Sequence, residues 1–262
     1  MLKNLRLKAS SINPSKTLIE FKFIPLGNLS KDLGWLIGYE LLSLGVDVNT
    51  MPVLDINYKR SNIMDRRCFA EKPLIVSELA NEFIKGAKSA GISSICKHFP
   101  GHGYAKTDSH VELPEDNRDL KTIYSQDIMP YKNAINNNVE GIMTSHVLYR
   151  NIDKYPPTIS QKWLKLLRND LRYKGLIFSD DLSMKALQKF GDIGDNLLKS
   201  IEAGCDCIFI CNNRNKVVNI IDNFKINIDE VISNKIMKLN KKNTVDDFNK
   251  NKKRIKIKEM LT

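Results

Sequence analysis

The 262-residue chain contains no apolar run of the roughly 20 residues that a membrane-spanning helix needs, so a transmembrane segment is excluded. Its opening, Met1-Leu-Lys-Asn-Leu-Arg-Leu-Lys, is basic but lacks the apolar core of a secretory signal. Cysteine is sparse and odd in number: Cys68, Cys96, Cys205, Cys207 and Cys211. No small disulfide framework can be drawn from them, so a stapled secreted scaffold is excluded and a reducing, cytoplasmic compartment is expected. Cys205, Cys207 and Cys211 fall on one face of a strand at period two, where buried free thiols are expected rather than metal ligands. No spacing of histidine, cysteine or carboxylate matches a zinc helix motif, so no metal is expected. Aromatic residues make up 8% of the chain and do not interleave with a basic patch. The net charge of +11 comes with lysine, asparagine and isoleucine spread along the whole sequence. That pattern is a compositional bias, and nucleic acid is not the expected partner.

What is present is a packed, alternating α/β pattern. Hydrophobic residues make up 42% of the chain, enough for a core. Leu33, Leu36, Ile37, Leu41 and Leu44 predict a helix from Lys31, with Ser30 as N-cap and Gly45 as stop. Residues 46–56 read as a strand ending at Asp55. Pro73 opens a second helix that Gly91 ends. The unit then repeats: strand 92–97 and a helix over 119–136, strand 140–146 and helix 160–171, strand 175–180 and helix 193–203, strand 206–211 and a helix from Lys216. Strands alternating with helices mean a parallel sheet. Ile19, Phe21 and Phe23 alternate as in a half-buried strand. From Ile226 the chain turns Lys- and Asn-rich, which reads as a solvated amphipathic helix or frayed tail. Three regions are expected: an atypical segment 1–30, a catalytic domain 31–225 and a helical tail 226–262.

Three of the four histidines (His98, His102, His110) fall in one connection, residues 98–118, together with Asp108. A strand-to-helix loop that long in a compact domain is functional or disordered, and the histidines favour function. Lys97 and His98 end the strand before it. Ser179, Asp180 and Asp181 end another, and α/β folds place active sites at such C-terminal strand ends. Taken alone, Asp180-Asp181 is as readily a helix N-cap pair as a reactive carboxylate.

The runs Lys97-His98-Phe99-Pro100-Gly101-His102-Gly103, Asp108-Ser109-His110 and Phe178-Ser179-Asp180-Asp181-Leu182-Ser183-Met184 resemble the bacterial β-N-acetylhexosaminidases of glycoside hydrolase family 3. The resemblance extends from about Leu33 to about Asn223. It implies an α/β fold, a (β/α)8 TIM-type barrel in incomplete form, with about five of the eight βα units and the first three strands missing. The family's Asp-Gln-Glu-Gly-Gly-Arg segment, which supplies sugar-binding groups, finds no match in residues 1–30. The resemblance implies a retaining β-N-acetylglucosaminidase acting on cell-wall fragments without cofactor. It makes Asp180 the nucleophile and His110, oriented by Asp108, the acid/base. Lys97, His98 and Arg67 become sugar-binding residues. Asp65 stands where the family usually carries Gly, and Asp tolerates a left-handed backbone there. His102 is expected to shape the loop, and His146, at another strand end, is a candidate to face the site. A catalytically silent remnant, a half-enzyme completed by a partner chain or by self-association, and phosphorolysis in place of hydrolysis stay open. In all three active readings the substrate is a small saccharide.

Overall fold

Each of the five strands that the hydrophobic pattern predicts from residue 46 on pairs in parallel with its sequence neighbour. The computed structural model describes residues 26–61, 64–223, 229–240 and 248–261, so the strand expected around Phe21 lies outside it. The five strands are β1 (Val48–Asn49), β2 (Ser93–Phe99), β3 (Gly141–Thr144), β4 (Leu176–Asp181) and β5 (Cys207–Phe209), in that spatial order. Sequential parallel order requires each connection to cross back over the same face, because such crossovers are right-handed. The helices therefore gather on one side and the sheet curls away from them, as a half-barrel.

The connecting helices are α1 (Leu26–Leu42), α2 (Pro73–Ala90), α3 (Leu120–Ser125), α4 (Met129–Asn136), α5 (Gln161–Lys165, running into a wider turn, Leu166–Asp170), α6 (Ile193–Ala203) and α7 (Arg214–Asn223). Their caps follow the sequence. Ser160 Oγ accepts the Trp163 N–H at 3.2 Å, Asp192 and Asp195 cap each other's backbone N–H, and Gly91 and Gly204 end α2 and α6 in the left-handed region. Two expectations need correction. Ser30 is not an N-cap, because α1 starts a turn earlier; its hydroxyl donates to the Leu79 carbonyl at 2.6 Å, and Leu29 beside it is fully buried. The single helix over 119–136 is two, since Pro130 has no N–H to donate and its ring blocks the carbonyl one turn back. Helices α1 and α2 cross closely: a Cβ at Gly34 would overlap the Phe83 carbonyl, and one at Gly86 the Lys31 carbonyl.

Side-chain alternation then divides the strands between two cores. Cys96, Ile142, Ile177 and Ile208 point outward and join Phe83, Tyr131 and Trp163 of the helices in the main cluster. Val48, Ile95, Met143, Leu176, Phe178, Cys207 and Phe209 point into the hollow of the half-barrel and form a second one. Of the three cysteines placed on one strand face, Cys207 turns inward while Cys205 joins the outer cluster, so the single-face reading holds in part.

The tail is not merely solvated. Helix α8 (Glu230–Met237) and Leu239 come under the half-barrel, where Ile232 and Leu239 pack into the inner cluster. Ser93 Oγ donates to the Leu239 carbonyl at 3.2 Å and Lys235 Nζ to that of Lys174 at 2.8 Å, which fixes the segment at the N-terminal end of the strands. Helix α9 (Lys252–Leu261) buries Ile257 against Trp35, Leu36 and Tyr39 of α1, with Arg254 paired to Glu40 at 3.1 Å. The lysine-rich composition hid these few apolar anchors.

Candidate active site

The alternation that fills the hollow also builds a cleft of about 350 Å³ above it. One step beyond Ile95 is Lys97, one beyond Phe178 is Asp180, and one beyond Phe209 is Cys211; all three line the cleft. Met143 and Phe209 form its apolar floor, shared with the inner core. The sheet ladder is irregular between Cys96 and Phe99 and between Phe178 and Asp181, at the two strand ends that carry charged groups. Such bulges re-aim side chains at barrel rims. The cleft brings together all six residues singled out in the sequence: Arg67, Lys97, His98, Asp108, His110 and Asp180.

Asp180 has its Oδ1 on the Asp181 N–H at 2.9 Å. Burial alone would raise its pKa, but His146, His98, that N–H and Lys97 outweigh it and hold the carboxyl below the usual range. Asp181 instead serves the frame. Its Oδ1 accepts the Ser183 and Cys211 N–H groups at 2.9 Å each and its Oδ2 the Ser183 hydroxyl at 2.7 Å. It thereby ties the end of β4 to the end of β5. Neither aspartate caps an α-helix, since the next element is a short 3-10 stretch from Lys185.

On the loop, Asp108 Oδ1 accepts both the His110 N–H at 3.0 Å and the His110 Nδ1–H at 2.8 Å. Slight burial pushes Asp108 up, and the His110 hydrogen bonds more than offset it, so its carboxyl titrates below the usual value. This arrangement leaves His110 Nε2 available, with the ring two-thirds exposed at the cleft mouth (67%). The loop is pinned within the pair and just after it. The Ala186 N–H donates to the Ser109 carbonyl at 3.2 Å, and Leu113 packs on Leu148 and Ala186.

Lys97 is half-buried, and its loss of solvent together with the nearby Arg67 lowers its pKa; Asp180 and Asp55 pull the other way. Its Nζ lies 3.4 Å from Thr50 Oγ1. Arg67 ends a turn over residues 64–67, with its Nη1 3.7 Å from Met64 Sδ and its Nη2 3.4 Å from His98 Nε2. Asp65, expected in the left-handed region, is not among the described residues with positive φ; the turn is right-handed. His146 does not line the cleft. It is fully buried behind Asp180, its Nε2–H donating to the Asp181 carbonyl at 3.0 Å and its Nδ1 2.8 Å from Thr158 Oγ1. His102 does line the cleft, and its N–H donates to Asp55. Sequence reading missed Asp55, whose partner His98 is 43 residues away. It also missed most of the apolar side of the cleft, Met64, Met143 and Phe209, which no local motif marks.

A parallel sheet of incomplete (β/α)8 type, with carboxylates, imidazoles and cations gathered over the C-terminal strand ends, defines the structural class. The family description "Glycosyl hydrolase family 3 N terminal domain" matches residues 7–241, and the chain belongs to that family. It is 41% identical over 194 residues to a "Beta-hexosaminidase" of Idiomarina loihiensis, covering 74% of this chain and 58% of the relative. It is 42% identical over 190 residues to a "Beta-hexosaminidase" of Methylococcus capsulatus, covering 72% and 57%. Among solved structures it is similar to NagZ from Neisseria gonorrhoeae in complex with N-trifluoroacetyl-D-glucosamine. That match has a TM-score of 0.82 at 30% identity and covers 90% of this chain and 68% of that one. The chain thus spans somewhat more than half the length of these curated relatives.

Proposed function

We propose that this chain is a retaining β-N-acetylglucosaminidase that removes terminal N-acetylglucosamine from peptidoglycan fragments in the cytoplasm. The observation that carries the reading is the convergence of Asp180 and the Asp108–His110 pair on one cleft whose relatives are named beta-hexosaminidases. In this mechanism Asp180, ionised at neutral pH, attacks the anomeric carbon as protonated His110 gives its Nε2 proton to the departing oxygen. The aglycone leaves as an alcohol and the sugar stays as an ester on Asp180. His110, now neutral, takes a proton from water; the water oxygen displaces Asp180 and restores both groups. Asp108 accepts from Nδ1 and so keeps Nε2 turned away from itself. Lys97 and Arg67 hold sugar hydroxyls, with His98 behind Arg67. Met143 and Phe209 give the cleft an apolar floor under the ring.

The second reading is a half-enzyme that a partner chain or a second copy completes. It is favoured by the five described strands, against eight in a closed barrel. Release of 4-nitrophenol from 4-nitrophenyl N-acetyl-β-glucosaminide by the purified chain, with Asp180→Ala as control, separates the two. Turnover abolished by that change supports the enzyme acting alone. A folded, silent chain overturns it, leaving an unassembled half or a silent remnant.

A further inference from the structure

Asp55 lies outside the motifs that mark the cleft, yet it makes a dense set of bonds beneath it. It follows β1 on a segment that runs along the end of β2, with the Leu54 N–H donating to the Lys97 carbonyl at 2.7 Å. Its side chain is buried and does not line the cleft. Oδ1 accepts the His102 N–H at 2.7 Å and lies 3.4 Å from the His98 N–H, and Oδ2 lies 2.7 Å from His98 Nδ1. On the other side of the same ring, His98 Nε2 faces Arg67 Nη2 at 3.4 Å.

These contacts decide the ring's protons. A guanidinium has only donors to offer, so the ring nitrogen that faces it must accept. The proton then sits on Nδ1, where the Asp55 carboxylate receives it. A doubly protonated ring would set an N–H against the guanidinium. The neutral form fits the burial as well, which lowers the pKa of His98 against the pull of Asp55. The bonds to Asp55 are local to the two backbone turns it clamps, so the carboxylate also fixes where β2 hands over to the His98–His102 turn.

We infer that Asp55 is a positioning residue: it locks His98 as the neutral Nδ1–H tautomer, so that Nε2 accepts from Arg67 and holds the guanidinium at the cleft. His98 then serves as a hydrogen-bond acceptor toward the site and not as a proton donor. This inference rests on the sugar-site reading for what Arg67 binds, but not for the tautomer. At metal sites, partners one step behind a ligating imidazole change affinity about 10–100-fold when removed, and an effect of the same order is expected here.

Asp55→Asn tests it by a chemical constraint. The backbone N–H groups of His98 and His102 need an acceptor, so the amide oxygen takes the Oδ1 place. The NH2 group is left facing His98 Nδ1. That nitrogen must then accept, the proton moves to Nε2, and a donor opposes Arg67. The experiment is 15N NMR of the chain labelled at its four histidines, with His102→Gln, His110→Gln and His146→Gln used to assign the His98 signals. N-acetylglucosamine binding is measured on the same samples. The wild-type chain is expected to show His98 with Nδ1 protonated and Nε2 bare at pH 7. Asp55→Asn is expected to invert the tautomer and weaken sugar binding about 10–100-fold. A wild-type His98 protonated on Nε2 or on both nitrogens overturns the inference, even if the variant does not fold. An Asp55→Asn protein with unchanged tautomer or unchanged affinity overturns it as well. If the wild-type chain shows the expected tautomer but binds no N-acetylglucosamine, the sugar-site reading fails while the control of His98 by Asp55 stands.

Discussion

Leu239→Ala perturbs the feature that most sets this half-barrel apart, the packing of its own tail segment into the hollow. Leu239 is 8% exposed and sits among Ile95, Leu176 and Phe178. The change deletes three carbons from that cluster. At about 0.8 kcal/mol for each buried carbon the transfer loss is about 2.4 kcal/mol. A cavity adds to this, but Leu239 lies near the open end of the sheet where neighbours can close in, so the total is expected at about 2–3 kcal/mol. The assay is urea unfolding followed by fluorescence of the buried Trp163, with the midpoint lowered and the slope unchanged. Val231→Ala on α8, at a side chain 61% exposed, is the control and should change stability by less than about 0.5 kcal/mol. If the two variants unfold at the same midpoint, Leu239 does not close the hollow and the reasoning fails.

Gly86→Ala, whose new Cβ would overlap the Lys31 carbonyl, is expected to cost more than about 3 kcal/mol, because it must force α1 off α2; calorimetry showing a loss below about 1 kcal/mol contradicts the close crossing. His98 and His146 are buried with pKa values below the ordinary 6.5. The unfolded chain therefore binds protons near that pH that the folded chain refuses, and stability falls as the pH drops below 6.5. The limiting slope is about 1.4 kcal/mol per pH unit for each histidine. Asp127, pushed up to about 6 chiefly by burial, offsets part of this below pH 6. The check is therefore differential: the urea midpoint of His146→Gln should fall less between pH 7.5 and 5.5 than that of the wild type, and equal falls contradict the assignment. His110→Ala removes an exposed ring, so unfolding should shift by less than about 0.5 kcal/mol. Turnover of the aryl glycoside should drop about 10²–10⁴-fold, and unchanged turnover removes His110 from the mechanism.

Most of the sheet was legible because a buried parallel strand is a short apolar stretch between turn signals: Leu176-Ile177-Phe178 needs no tertiary information to be read. The site was legible where its parts are near neighbours in sequence. Asp108 and His110 bond each other two residues apart, and Asp180 is set by the strand it ends. What stayed hidden depends on distant partners. Asp55 gains its meaning from His98, and Ser30 is drawn inside a helix by Leu79, 49 residues on. Leu239 and Ile257 were masked by lysines that stay in solvent while single apolar side chains reach inward. Lysine-rich sequence carries little hydrophobic periodicity, so such anchors emerge only when the surfaces they cover are known.

The central claim is that Asp180 carries the sugar during turnover. The measurement that meets it most directly is intact-protein and peptide mass spectrometry after incubation with a 5-fluoro-N-acetyl-β-glucosaminyl fluoride. Such a substrate forms a glycosyl-enzyme that is then slow to hydrolyse. The account expects one added 5-fluoro-N-acetylglucosaminyl group per chain, on the peptide that contains Asp180, and none with Asp180→Ala. A label on another residue, or turnover that persists in Asp180→Ala, would contradict it.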